Sequence, residues 1–200
     1  MYPRLRTMYS FSASSMTDPP TSLFERCTAN ILRQVEELRA IASEFSAYSR
    51  IPRLDPQPGD LVKTVGEVVE AYGAAPPAGA QLSFQADPSA IPGRFDAKLM
   101  GRAVRNLIEN ALRACGSGGR VDISVVGRDG QARIAVADSG PGVVPDVLPR
   151  IFDPYFSTHA AGTGLGLPIA RRIAEEHGGR IEADNLPGGG FEVAITIPLS

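Results

Sequence analysis

The stretch RVDISVVGRDGQARIAVADSGPGV, Arg120 to Val143, decides the fold. Two runs that alternate apolar and polar residues, RVDISVVG and RIAVAD, are joined by RDGQ, and an Asp-Gly pair between alternating runs signals a β-hairpin. The second run then delivers a carboxylate, Asp138, straight into two glycines that bracket a proline, Gly140 to Gly142. An acid at the end of a buried strand has three readings: a turn residue, a metal ligand or catalytic acid, and a reader of a bound ligand.

Working outward, DAKLMGRAVRNLIENALRA reads as a long helix with Asp96 as its N-cap and Gly116 just past its end. DLVKTVGEVVEAYG is an earlier helix, capped by Asp60 and closed by Gly73, and QLSFQAD alternates like a strand. Downstream, LGLPIARRIAEEHGG is a third helix, and GRIEAD with FEVAITIP forms a closing strand pair around NLPGGG. Helices and strands do not alternate regularly, so the class is α+β: a layered two-layer α/β sandwich, not a doubly wound sheet.

The N-terminal part is built differently. Residues 1–20 read as a disordered lead-in without the continuous apolar stretch of a secretory signal. From Phe24 to Ser49 an apolar seam of Phe24, Thr28, Ile31, Val35, Leu38, Ala42 and Phe45 steps by fours and threes, the pattern of one long helix with a heptad-like stripe. Such a stripe packs either on its own domain or on another helix; its length of more than three heptads favours pairing, including a homodimer through residues 24–49. Pro52 and the DPQPGD segment stop the helix. The chain thus divides into the lead-in at 1–20, a helix and linker at 21–55, and a globular domain at 56–200.

Composition narrows the function. With 43% hydrophobic residues, 200 residues bury a substantial core. A formal net charge of -2 without a basic block argues against a nucleic-acid surface. Cys27 and Cys115 lie far apart and lack metal-ligand spacing, which fits a reducing compartment and gives neither a disulfide framework nor a zinc site. No apolar run reaches the length of a membrane span.

Asn106 and Asn110 lie four apart on the long helix and Arg113 follows three later, offsets that share one face, while Val104, Leu107, Ile108 and Ala111 supply the other. The stripe is either a solvated face or a site. Asn competes with the helical backbone and is a poor choice for mere exposure, and amide oxygens suit a hard cation such as magnesium bridging phosphates. The loop GTGLGLPIA, Gly162 to Ala170, leads through glycines into a helix whose N-terminus is a ready phosphate seat, although a short Gly-x-Gly is equally a flexible turn. Between them, VVPDVLPRIFDPYFSTHAA is long enough to be a lid.

In this order, NLIENALRA, DSGPGV, IFDPYFST and GTGLGLPIA resemble the N, G1, F and G2 boxes of the sensor histidine kinase ATP-binding domain. That domain belongs to the wider family of gyrase, the heat-shock chaperone and the mismatch-repair ATPases. The resemblance covers residues 60–200 and implies a Bergerat-type sandwich with a mixed sheet and about three helices on one face. The segment LFERCTANILRQVEELRAIASEFSAYSRIPR is similar to the second dimerisation helix of the nitrogen-regulation membrane sensor kinases.

The resemblance implies the site. Asp138 would accept the adenine amine, with Gly140 and Gly142 shaping the turn beneath the base. Asn110 would coordinate Mg2+, with Asn106 beside it and Arg113 as the basic phosphate contact. Gly162, Gly164 and Gly166, with Thr163, Leu165 and Leu167 between them, would close on the triphosphate of ATP, and Phe152 and Phe156 would anchor the lid. The partners implied are ATP, a histidine-bearing dimerisation helix and a response-regulator receiver domain, all on the cytoplasmic side of a membrane-bound sensor.

Hydrolytic relatives carry a water-activating Glu where Asn106 stands, and Asn cannot do that job, so the pattern favours transfer to an incoming histidine. Glu109 points about 100 degrees around the helix from Asn110 and is not the base. The acceptor box of a sensor kinase is missing: the histidines are His159, in the lid, and His177, a last-turn residue suited to the helix dipole. The expectation is therefore a protein-histidine kinase fragment that does not autophosphorylate by itself. A serine/threonine kinase of the anti-sigma type and a nucleotide-sensing interaction module without transfer are the alternatives.

Overall fold

The computed structural model describes residues 25–35, 53–73, 79–157 and 163–199, in two separate units, 1–43 and 44–200. In the first unit, residues 25–35 form helix α1, whose Ile31, Leu32 and Val35 are exposed within that unit. Thr28, Ile31 and Val35 of the sequence seam lie on α1; Phe24, Leu38, Ala42 and Phe45 lie outside the described residues, as do the lead-in, His159 and Gly162.

The second unit runs β1 (Gln57–Asp60), α2 (Leu61–Gly73), β2 (Gln81–Asp87), β3 (Pro92–Phe95), α3 (Ala97–Cys115), β4 (Arg120–Arg128), β5 (Gln131–Asp138), α4 (Gly166–Glu176), β6 (Arg180–Asn185) and β7 (Phe191–Pro198). Five strands form one sheet in the order β2-β4-β5-β7-β6, parallel between β2 and β4 and antiparallel elsewhere. The mixed two-layer sandwich expected from the sequence is present. The hairpin register runs from Arg128 opposite Gln131 to Val121 opposite Asp138, and Asp129 and Gly130 both adopt positive φ, as a two-residue type I′ turn requires.

Strand periodicity explains the layers. Val121, Ile123 and Val125 of β4, Ile134 and Val136 of β5, and Val193, Ile195 and Ile197 of β7 turn one face inward, where Val104, Leu107 and Ile108 of α3 and Ile169 and Ile173 of α4 meet them in one core. The other face carries polar pairs: Arg133 donates to Glu192 at 2.5 Å and Ser83 to Asp122 at 2.7 Å. Asp138 sits on the inward, helix-facing side, at the last rung of β5, between Val121 and Phe191.

Three features escape the sequence pattern. Residues around DPQPGD do more than end a helix: β1 pairs antiparallel with β3 as a second, two-stranded sheet. Asp60 caps α2 through Val62 N–H at 3.0 Å and also accepts Ile91 N–H at 3.0 Å, fastening that sheet to the helix. Asp96 caps α3 through Lys98 and Leu99 N–H, and its own N–H donates to His177 Nε2 at 3.1 Å while His177 Nδ1 donates to Ile173 O at 2.7 Å. His177 is thus structural, as its last-turn position implied, and in addition its ring bridges the end of α4 to the start of α3.

Candidate nucleotide-binding site

The site begins at the buried acid. Asp138 is 5% exposed and one of its oxygens accepts Gly140 N–H at 2.8 Å. Burial pushes its carboxyl above the usual range, against the pull of the Gly140 and Phe191 backbone N–H groups. A methyl at Gly140 would lie 2.7 Å from Asp138 Oδ1 and 2.8 Å from Ala114 O, so the turn after the acid is wedged against the C-terminal end of α3. Cys115, next on that helix, is a free thiol raised by burial and then by the charge of Asp138.

Further back along α3, Asn106 is half-buried and its Nδ2 is buried without a hydrogen-bond partner, the one such atom among the described residues. Buried amides are almost always satisfied, so an orphan marks a place where a further group belongs. The base of the Asn106 side chain adjoins the start of α4: a methyl on Gly166 would stand 3.9 Å from Asn106 Cβ. The two helices end in opposite ways. Asp96 caps α3, whereas Leu165 at the N-cap of α4 supplies no side-chain acceptor and the first turn holds no acid. Leu165 thus gives the Gly166 and Leu167 N–H groups no N-cap acceptor, close to a residue with an unpartnered amide, an arrangement that suits an anion.

Asn110 is half-buried one turn beyond Asn106. Arg113 departs from the stripe. Its guanidinium stands 4.0 Å from Glu109, both half-exposed, and Tyr72 Oη of α2 donates to the same carboxylate at 3.2 Å. Burial, and then Glu109, push the Tyr72 phenol up to about 12. Glu109 thus faces α2, as its helical phase predicts, and draws Arg113 with it.

The segment that follows the acid meets the start of α4 at Tyr155. Tyr155 N–H donates to Gly164 O at 3.0 Å, and Gly164, at φ 68°, has no room for a side chain because a methyl would come within 2.6 Å of Tyr155 C. Tyr155 itself takes φ 64°. Phe152 packs on the core, and the Arg150 guanidinium lies 4.5 Å over the Phe156 ring. Leu165 is fully buried and Leu167 packs against the core; Thr163 has interactions of its own.

A family model described as histidine kinase-, DNA gyrase B-, and HSP90-like ATPase matches residues 95–200, from the β3–α3 junction through the acid, the lid and β7. The chain belongs to this family.

The nitrogen regulation protein NtrY of Azorhizobium caulinodans is 33% identical over 186 residues, 88% of this chain and 24% of that protein. The sensor histidine kinase ZraS of Klebsiella oxytoca is 34% identical over 84% of this chain and 37% of its own length. The chain thus spans between about a quarter and just over a third of these curated relatives. Among solved structures, the catalytic domain of histidine kinase ThkA aligns with a TM-score of 0.67 at 28% identity, covering 72% of this chain and 96% of that domain. Full-length ShkA in complex with AMPPNP aligns at 0.75 with 25% identity over 88% of this chain and 39% of that one. Membership of this ATPase family makes ATP the nucleotide of the site. Among the described residues no helix is long and apolar enough to cross a membrane, and no three His, Cys, Asp or Glu side chains cluster as metal ligands.

One residue beside this site carried no signal in the sequence beyond its place at the start of the NLPGGG turn. Asn185, the last residue of β6, accepts Val143 N–H at 2.7 Å and donates to Val143 O at 2.7 Å, gripping both backbone groups of the residue that follows Gly142.

Proposed function

We propose that this chain is the ATP-binding catalytic part of a two-component sensor kinase, which passes the γ-phosphoryl group of ATP to a histidine on a dimerisation helix and, through it, to an aspartate of a response-regulator receiver. The observation that carries the reading is the orphaned amide of Asn106, a residue packed beside the start of α4, where Leu165 at the N-cap offers no side-chain acceptor. It is an anion seat equipped with an amide where water activation would demand a carboxylate.

A nucleotide fits along α3. Asp138, beside the helix C-terminus, accepts the adenine amine. Asn106 lies eight residues before Ala114, about 12 Å along the axis, which leaves the sugar in between and the phosphates over α4. Gly164 and Gly166, with Thr163, Leu165 and Leu167, form the phosphate side, to which the sequence motif adds Gly162, and Phe152 and Phe156 steady the lid. Arg113, paired with Glu109, contributes as a rim charge.

Mg2+ fits this donor set only as part of the nucleotide complex. A neutral amide with no carboxylate cluster is too sparse to hold the ion by itself, but Mg2+ keeps its waters and binds through phosphates with one or two protein oxygens. Asn110 would supply that oxygen, and the ion would neutralise charge on the phosphates. The remaining work is positioning: a neutral imidazole nitrogen of the acceptor forms a bond to the γ-phosphorus as its bond to the β-bridging oxygen breaks, ADP leaves with the electron pair, and the imidazole proton passes to solvent. The kinase relatives named above and the heptad-like sequence seam at 24–49, a pattern suited to a second copy or a partner hairpin, support this assignment over the anti-sigma kinase and the non-transferring module.

The test supplies an acceptor hairpin carrying its histidine, in trans, with γ-labelled ATP. Label on that histidine, acid-labile and dependent on Mg2+, is the expected result. ATP binding without transfer to hairpin, serine or receiver would reject the kinase assignment in favour of a nucleotide-sensing module.

A further inference from the structure

The turn that carries the adenine contact does not support itself. Gly140 is wedged between Asp138 and α3, but Gly142 and Val143 leave the sheet, and among the described residues the side chain that grips them comes from another strand, 42 residues later. Asn185 closes a two-point clamp on the Val143 peptide groups, N–H to Oδ1 and Nδ2–H to O, each at 2.7 Å. The same Oδ1 stands 2.5 Å from where a Gly142 side chain would begin, and Gly142 takes φ 77°. Behind them, Leu186 N–H donates to Gly190 O at 3.0 Å, and that carbonyl oxygen is 3.3 Å from the same Gly142 position. The β6–β7 connection is therefore built onto the back of the turn, and Asn185 is its one side-chain grip.

We infer that Asn185 is a positioning residue for base selection: it fixes the Gly140–Val143 turn against Asp138, so that the pocket presents the carboxylate to an exocyclic amine in one geometry. The inference rests on the nucleotide assignment above and deepens it. Amide side chains are suited to this task because they satisfy a backbone donor and acceptor together, with both hydrogen bonds pinning one peptide segment. Asn185 itself is exposed, so its removal leaves no buried group stranded in the core. Loss of the clamp frees the turn while Asp138, held by β5, stays in place; the base loses its seat and the phosphate side does not.

The test measures ATP and GTP affinity by calorimetry in Mg2+ for the whole chain and for Asn185→Ala, Asn185→Asp and Asp184→Ala. Asn185→Ala is expected to weaken ATP about tenfold, roughly one hydrogen bond's worth of lost adenine contact, and GTP clearly less, so that the ATP:GTP preference falls. Asn185→Asp keeps the acceptor for Val143 N–H and loses the donor, and falls between. Asp184→Ala, an exposed neighbour on the same strand, keeps the parent preference. An unchanged ATP:GTP ratio in Asn185→Ala, or equal losses for the two nucleotides, overturns the inference; if that variant is unfolded by circular dichroism, a parent-like ratio in Asn185→Asp overturns it instead. Parent protein that binds neither nucleotide overturns the underlying assignment, a distinct result.

Discussion

The imidazole of His177, at the end of α4, accepts the backbone N–H of Asp96, the N-cap of α3, at 3.1 Å across 81 residues of sequence. Asp96 in turn accepts Asp55 N–H through Oδ2 at 3.2 Å. The start of one helix, the end of another and the segment leading into β1 meet at this pair.

His177→Ala removes both bonds of the ring and leaves Asp96 N–H and Ile173 O to find water. A loss of about 1–2 kcal/mol follows, most of it the cost of the deserted partners, and the thermal midpoint falls by a few degrees. His177→Gln, which retains an acceptor, recovers part of it. A midpoint equal to that of the parent would show that the bridge carries no stability.

Asp138→Asn separates function from stability. The native carboxyl is raised by burial, so the fold favours its protonated form over the unfolded chain. The penalty on the charged form is absent below the ordinary carboxylate range and complete above the raised value, and stability declines as pH climbs through that window. The amide escapes the penalty and keeps an oxygen for Gly140 N–H. At neutral pH the variant is expected to melt higher than the parent, yet to bind ATP roughly 10- to 100-fold more weakly, the worth of a hydrogen bond to a charged group. A lower melting point, or equal ATP affinity, contradicts this account.

Asn106→Ala removes an unsatisfied buried amide. Such a group costs about 1–3 kcal/mol, offset in part by the small void left behind, so the ligand-free protein is expected to be at least as stable as the parent. The added stability that ATP with Mg2+ confers should shrink. Differential scanning fluorimetry with and without nucleotide reads both quantities; an undiminished ligand-induced shift would remove Asn106 from the site.

Gly164→Ala places a methyl against the Tyr155 and Phe156 backbone in a conformation that already costs a side chain about 1–2 kcal/mol. The Tyr155 N–H to Gly164 O bond has to give way. Faster amide exchange at Tyr155 and weaker ATP binding are the expected signs, and parent-like protection at that amide argues that the lid base tolerates the change.

The parts of this molecule that sequence reveals are those written in local periodicity. The β4–β5 hairpin, the caps at Asp60 and Asp96 and the apolar stripe of α3 are set by residues within a turn or two of one another. The acid at the end of β5 was legible because a strand rarely ends in a buried carboxylate without a use. Other contacts join residues far apart: Asn185 to Val143 across 42 positions, His177 to Asp96 across 81, and β1 to β3 on either side of α2 and β2. Nothing in the spacing around NLPGGG tells an ordinary turn from one built onto a binding loop. Arg113 adds a contact that helical phase alone leaves open: its guanidinium stands 4.0 Å from Glu109, one turn back on the same helix.

The hairpin turn has a reach well beyond its two residues. Asp129 and Gly130 fix which residue of β5 stands opposite each residue of β4, and that count is carried rung by rung to Val121 and Asp138 at the far end. Because side chains alternate between faces, one residue added to or removed from the turn, if the pairing followed it, would swing the acid from the helix side of the sheet to the open side. The turn thus works as a ruler, and the placing of the buried acid is gauged from the far end of the hairpin by a dipeptide.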